Sequence, residues 1–195
     1  MPAIYLNIAG HLTHEHLMPL VLLDRDGVIN EDSPNYIKSP SEWSPIDGSL
    51  AAIARLNRAG RAVAICSNQA AVARGILSME TLRAIHKLMQ SKLTEKGGHV
   101  DAIFCCTHGP DEKCSCRKPA PGLLTRAMAE LNHPPEHTTF VGDSLRDMQA
   151  ALAARCLPIL VRTGNGANSE SSARAIGVDL IFDDLAAATD WLLRQ

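Results

Sequence analysis

Short runs of branched apolar residues alternate along this chain with longer stretches in which apolar residues recur every three or four positions. The first pattern marks strands buried on both faces and the second marks amphipathic helices. Leu20 to Leu23, Arg61 to Cys66, Val100 to Cys105, Thr138 to Val141 and Leu157 to Val161 read as strands, with Ile176 to Phe182 as a sixth. Between them, Ser49 opens a helix with Leu50, Ile53 and Leu56 on one face, closed by Gly60. Ser78 begins a longer helix bearing Leu82, Ile85, Leu88, Met89 and Leu93, which stops near Gly97-Gly98. Further helices are expected from Leu123 to Leu131 behind a first-turn Pro121, after Ser144, and from Asp184 to Leu193. This alternation predicts one α/β domain, a doubly wound, mainly parallel sheet with helices on both faces. The connections after the first and third strands are too short for a separate cap domain.

The ends of the strands carry the candidate chemistry. Leu23 runs into Asp24-Arg25-Asp26-Gly27, and strand alternation puts Asp24 and Asp26 on the same side with Arg25 pointing away. Two like charges that close repel unless a cation or a proton is shared. The pair therefore asks for a metal ion, at the edge where open α/β sheets place their ligands. Asp and Gly are also common turn residues, so this stretch by itself does not decide. The second strand ends in Ser67-Asn68-Gln69, whose hydroxyl and amides can donate to an anion, and the fourth runs into Gly142-Asp143-Ser144. Lys118 adds a cation ahead of a helix. Hard oxygen ligands from Asp24, Asp143 and the backbone carbonyl of Asp26 suit Mg²⁺. A carboxylate nucleophile beside a second carboxylate is the equipment of phosphoryl transfer, in which acid/base help contributes only ~10² to 10⁴. Positioning and charge stabilisation must supply the rest of the very large acceleration that phosphate ester hydrolysis needs.

A second cluster lies after the third strand, in Cys105-Cys106-Thr107-His108 and Cys114-Ser115-Cys116. One imidazole and several thiolates in a tight, polar, proline-containing loop suit tetrahedral Zn²⁺, and four protein ligands would leave it a structural role. Spacing does not choose between Cys105 and Cys106 as first ligand. Cys66 and Cys156 fall in or beside buried strands and read as core. The loop ends at Arg117-Lys118, so a zinc ion would fix residues that must meet an anion.

Asp24-x-Asp26-Gly27, Ser67-Asn68, Lys118-Pro119 and Gly142-Asp143-x-x-x-Asp147 resemble, in order and spacing, the four motifs of the haloacid dehalogenase superfamily. The resemblance covers nearly everything after Met18. It implies Asp24 as nucleophile and metal ligand, Asp26 as general acid/base, Ser67 and Lys118 as phosphoryl stabilisers, and Asp143 as a Mg²⁺ ligand. Asp147 is left between the metal and a bracing role. The zinc loop narrows the likeness to phosphatases of sugar bisphosphates or of histidinol phosphate, with Cys106, His108, Cys114 and Cys116 as the ligands. Asn30 and the run from Asp147 to Ala151 favour the sugar bisphosphate. Arg117 would then meet the second phosphate, Asp32 and Tyr36 the sugar hydroxyls, and Asn68 and Gln69 would also lie at the substrate. Ser144 departs from the family pattern, where a lysine is familiar. A phospho-receiver module carries a similar set, but an acid/base such as Asp26 promotes turnover rather than a long-lived phosphoaspartate.

Composition adds limits. The formal net charge is −2 over 195 residues, which announces neither a nucleic-acid surface nor a basic membrane-binding face, so any anionic substrate must be met by locally placed cations. No stretch of about 18 apolar residues could span a bilayer. Six cysteines without a signal-peptide pattern suggest the cytoplasm and thiols or metal ligands rather than disulfides. A monomer is the default expectation. Residues 1–17, with His11, His14 and His16 and no periodicity, are expected to form a loose extension, with Met18 as the natural start.

Overall fold

The computed structural model describes residues 19–195, so the expected extension at 1–17 lies outside the described residues. Six strands, β1 (Leu20–Leu23), β2 (Ala62–Asn68), β3 (Ala102–Cys106), β4 (Thr138–Gly142), β5 (Leu157–Val161) and β6 (Ile181–Phe182), form one sheet. All pairings are parallel and the order is β3-β2-β1-β4-β5-β6. The chain builds outward from β1 to β3 and then returns to β1's other side for β4. The carboxyl ends of β1 and β4 thus flank a topological switch point, where such sheets bind ligands.

Alternation along the strands divides the core. Val21, Leu23, Val63, Ile65 and Val141 share a cluster with Ile53 and Leu56 of α1 (Ser49–Arg58), Ile85 and Met89 of α3 (Met79–Glu95), and Leu185 of α7 (Leu185–Leu192). Leu20, Leu22, Ala64, Cys66 and Phe140 face the other way, onto Leu123, Leu124 and Ala127 of α4 (Gly122–Glu130) and Ala150 and Ala151 of α5 (Leu145–Ala154). Cys66 and Cys156 are core residues, as expected. Ser78 caps α3 by accepting from the Thr81 N–H at 3.0 Å.

Three elements differ from expectation. Residues Gly166–Ala175 form a helix, α6, that the pattern did not announce, because its only buried positions are Gly166 and Ala173. The sixth strand is only Ile181–Phe182. A short helix, α2 (Ala70–Ala73), also follows β2. Gly27, at φ +80°, shows how closely the site loops meet: a Cβ there would lie 2.1 Å from Oδ2 of Asp143.

Candidate active site

β1 stops at Leu23, so strand alternation does not extend to Asp26. Arg25 does not point away. It is 1% exposed, and its guanidinium turns back onto the Asp26 carboxylate, with Nε and Nη2 at 3.0 and 2.8 Å from Oδ1 and Nη2 at 2.9 Å from Oδ2. Asn30 Nδ2 adds a bond to Oδ1 at 2.8 Å and Gln69 Nε2 one to Oδ2 at 2.9 Å. Asp24 has a different cation: Lys118 Nζ lies 2.7 Å from its Oδ2. Each acid has its own basic partner, and the two differ in what remains free.

Lys118 is 2% exposed and sits 2.7 Å from both Asp24 Oδ2 and Asp147 Oδ1. Burial alone would lower its pKa, but Asp147 and Asp24 together hold it well above the ordinary lysine value. The amide of Asn68 grips the Lys118 backbone from both sides, accepting from its N–H at 3.1 Å and donating to its carbonyl at 3.0 Å. One of the two amide N–H groups remains open toward the cavity, which Asn68 lines. Asp147 braces both the lysine and the start of α5. Its Oδ1 holds Lys118, while its Oδ2 accepts from the Ser144 N–H at 3.0 Å and hydroxyl at 2.6 Å, forming the N-terminal cap of α5. Ser67 Oγ accepts from Gln69 Nε2 at 2.9 Å, which leaves its proton available to an incoming oxygen.

Asp143, 3% exposed, holds the third corner, with its Oδ2 accepting from the Asn165 N–H at 2.8 Å. Burial, then Asp24 and Asp147, push its carboxyl up to about 8, and burial raises Asp24 to about 6 in spite of Lys118. Carboxylates held this far above their usual range lack positive charge. Oxygen atoms of Asp24, Asp143 and Asp147 lie within 4.8 Å of one another. Their hard-oxygen donor set fits Mg²⁺.

These groups floor a cavity of about 320 Å³. Its wall holds the expected Asp32, Tyr36 and Arg117, together with Arg74, Arg146 and Asn165, which sequence reasoning missed. Tyr36, in a left-handed conformation at φ 61°, accepts at its hydroxyl from Arg74 Nη1 at 2.6 Å. Asp32 accepts from Asn165 Nδ2 at 3.1 Å. Arg146 is exposed and has no ion-pair partner among the described residues. It stands in the first turn of α5, where nothing in the local pattern separates a rim cation from an ordinary surface arginine.

Cys106, His108, Cys114 and Cys116 converge at the end of β3, their Sγ and Nδ1 atoms separated by 3.3 to 3.6 Å where paired. A tetrahedral ion with metal–ligand bonds of about 2.0–2.3 Å has edges close to this length, so the cluster could hold zinc. Cys105 falls outside the cluster: it lies in register with Ser67, one position before Cys106 on the strand and so on its other side. The loop is tied to α4 at Gly122, whose N–H donates to the Ser115 carbonyl at 3.1 Å and where a Cβ would lie 2.4 Å from that oxygen. Arg117 Nη1 donates back to the His108 carbonyl at 3.3 Å.

A doubly wound sheet that gathers these acids and a buried lysine at its switch point is the architecture of a haloacid dehalogenase-like hydrolase. The family model described as HAD-hydrolase-like matches residues 115–188. D-glycero-beta-D-manno-heptose-1,7-bisphosphate 7-phosphatase of Pseudomonas putida is 50% identical over 87% of this chain and 97% of its own length. The enzyme of the same name from Bordetella bronchiseptica is 46% identical over 91% and 99%. A crystal structure of the D,D-heptose 1,7-bisphosphate phosphatase from B. bronchiseptica, complexed with magnesium and phosphate, matches with a TM-score of 0.88 at 46% identity, covering 91% of this chain and 99% of that one. The chain belongs to the haloacid dehalogenase-like phosphatase family that these relatives represent.

Proposed function

We propose that this chain hydrolyses the 7-phosphate of D-glycero-β-D-manno-heptose 1,7-bisphosphate, a step toward nucleotide-activated heptose for the lipopolysaccharide core. The observation that carries the reading is the separation of the two carboxylates, one paired with a buried lysine and the other gripped by Arg25, Asn30 and Gln69. Two acids in such different settings can do two jobs. Asp24 attacks phosphorus, and the bond between phosphorus and the C7 oxygen breaks. Asp26 gives its proton to that departing oxygen. In the second half, Asp26 takes a proton from water, which attacks the aspartyl-phosphate, releasing inorganic phosphate and restoring Asp24. Lys118 and the Ser67 hydroxyl stabilise the equatorial oxygens. Mg²⁺, held by Asp24, Asp143 and the Asp26 carbonyl, would supply further charge neutralisation on the transferring group.

Arg74, Arg117 and Arg146 line the same cavity and would be cations for the second phosphate, with Asp32 and Tyr36 as contacts to the sugar hydroxyls. We further infer a zinc ion on Cys106, His108, Cys114 and Cys116, which would hold Arg117 and Lys118 in place. The test is phosphate release with Mg²⁺ from both anomers of the heptose bisphosphate and from histidinol phosphate, compared by kcat/KM. A preference for the β-anomer is expected. A preference for histidinol phosphate overturns the substrate while leaving the mechanism standing.

A further inference from the structure

Asp26 receives five hydrogen bonds from three side chains, and the largest share comes from Arg25. The guanidinium is itself held. Its remaining edge, Nη1, lies 3.3 Å from Nε2 of His86 on α3. We propose that His86 is a positioning residue for the phosphoryl transfer: by accepting from Arg25 it fixes the guanidinium plane, and through it the carboxylate that protonates the leaving oxygen. The inference rests on Asp26 being the acid/base proposed above.

A guanidinium has only donors, so the contact requires a lone pair on Nε2 and places the imidazole proton on Nδ1. Burial, and then the neighbouring Arg25, hold the His86 pKa down to about 4, so the ring stays neutral and able to accept across the working range. Its neighbours in the helix, Ile85 and Met89, are fully buried in the core, which makes α3 a rigid mount. Arg25, though beyond the end of β1, reaches this helix through the contact of its Nη1 with His86 Nε2. Contacts to Asp26 on one edge and to His86 on another define the plane of a flat group. Without His86 the fork can rotate about its stem, and only Asn30 and Gln69 still hold the carboxylate.

The proposal predicts a loss that depends on the leaving group. For an irreversible first transfer, kcat/KM reports that transfer alone, and there Asp26 acts only by protonating the departing oxygen. A sugar alkoxide needs that proton, whereas p-nitrophenolate leaves without it. His86→Phe keeps a ring and removes the acceptor. It is expected to lower kcat/KM for the heptose bisphosphate by about tenfold or more while changing that for p-nitrophenyl phosphate by less than about twofold. His86→Gln, whose amide oxygen can accept from Arg25, is expected to recover most of the loss. An equal fall on both substrates, or no fall on either, overturns the proposal. If His86→Phe does not fold, His86→Asn, whose amide stops short of Arg25, carries the same prediction. If the wild-type protein leaves the heptose bisphosphate untouched, the proposed function has failed, and the ratio is taken on whichever alkyl phosphate the enzyme does turn over.

Discussion

The carboxylate–lysine centre and the cysteine–histidine cluster are both knots of polar side chains at the carboxyl edge of the sheet, but they are assembled in opposite ways. The first draws Asp24, Lys118, Asp143 and Asp147 from the ends of β1 and β4, a loop and a helix, more than a hundred residues apart in sequence. It carries a permanent internal cation, so Asp24 and Asp147 are held about Lys118 before any metal arrives, while the cluster as a whole still has more acids than cations. The second takes all its ligands from residues 106–116, and the only cation it could share among three thiolates is a metal ion. The lesson is that one site is preorganised by the fold, whereas the other would preorganise a loop of the fold. The two meet at Lys118, which ends the loop and enters the acid cluster.

Asp24→Asn should have the largest effect. It removes the nucleophile while Asp147 still pairs with Lys118, so phosphate release should fall by roughly 10⁴-fold or more with the circular dichroism spectrum intact. Loss of the folded spectrum would show that the centre depends on the acid for assembly, contrary to the comparison. Cys116→Ser should strike the other cluster. With zinc lost, Arg117 and Lys118 lose one of their supports, and kcat/KM should fall by roughly 10- to 100-fold, together with the zinc content measured by metal analysis. Unchanged activity in a zinc-free Cys116→Ser protein would mean that the Asn68 clamp alone holds Lys118.

The smallest effect concerns pH. The carboxyl groups of Asp143, raised to about 8, and Asp24, raised to about 6, keep their protons longer in the folded state than in the unfolded chain, where carboxyls titrate near 4. The folded state binds more protons in that interval, so this contribution to stability falls as pH rises from about 4 through about 8. In the ion-free protein, Asp143→Asn should flatten the fall in Tm between pH 5 and pH 8 by roughly 2–4 °C, and added Mg²⁺ should raise the wild-type Tm more at pH 8 than at pH 5. Parallel Tm profiles for variant and wild type would mean that Lys118 already offsets the crowding of acids.

Much of this molecule was legible in the chain. The buried strands, the cap at Ser78, the Asp24-x-Asp26 turn and the cysteine–histidine loop rest on local rules of period, capping and ligand spacing, although spacing did not choose Cys106 over Cys105. What escaped was non-local or featureless. The helix Gly166–Ala175 has almost no apolar face to announce it. Arg74, Arg146 and Asn165 became cavity residues only through the placing of their elements. Arg25 was misjudged because alternation was extended one turn past the last strand residue, Leu23. Nothing near Asn68 reveals that its amide also meets a backbone fifty positions away.

The sequence by itself determined the fold class, the strand ends and the list of reactive groups, because side-chain period and short-range spacing are properties of neighbouring residues. Only the tertiary structure decided the pairing: Lys118 with Asp24 and Asp147, Arg25 with Asp26 and His86, Asn68 with the Lys118 backbone. Buried charge must find a partner wherever the chain brings one, and that place is set by how the strands order themselves around β1.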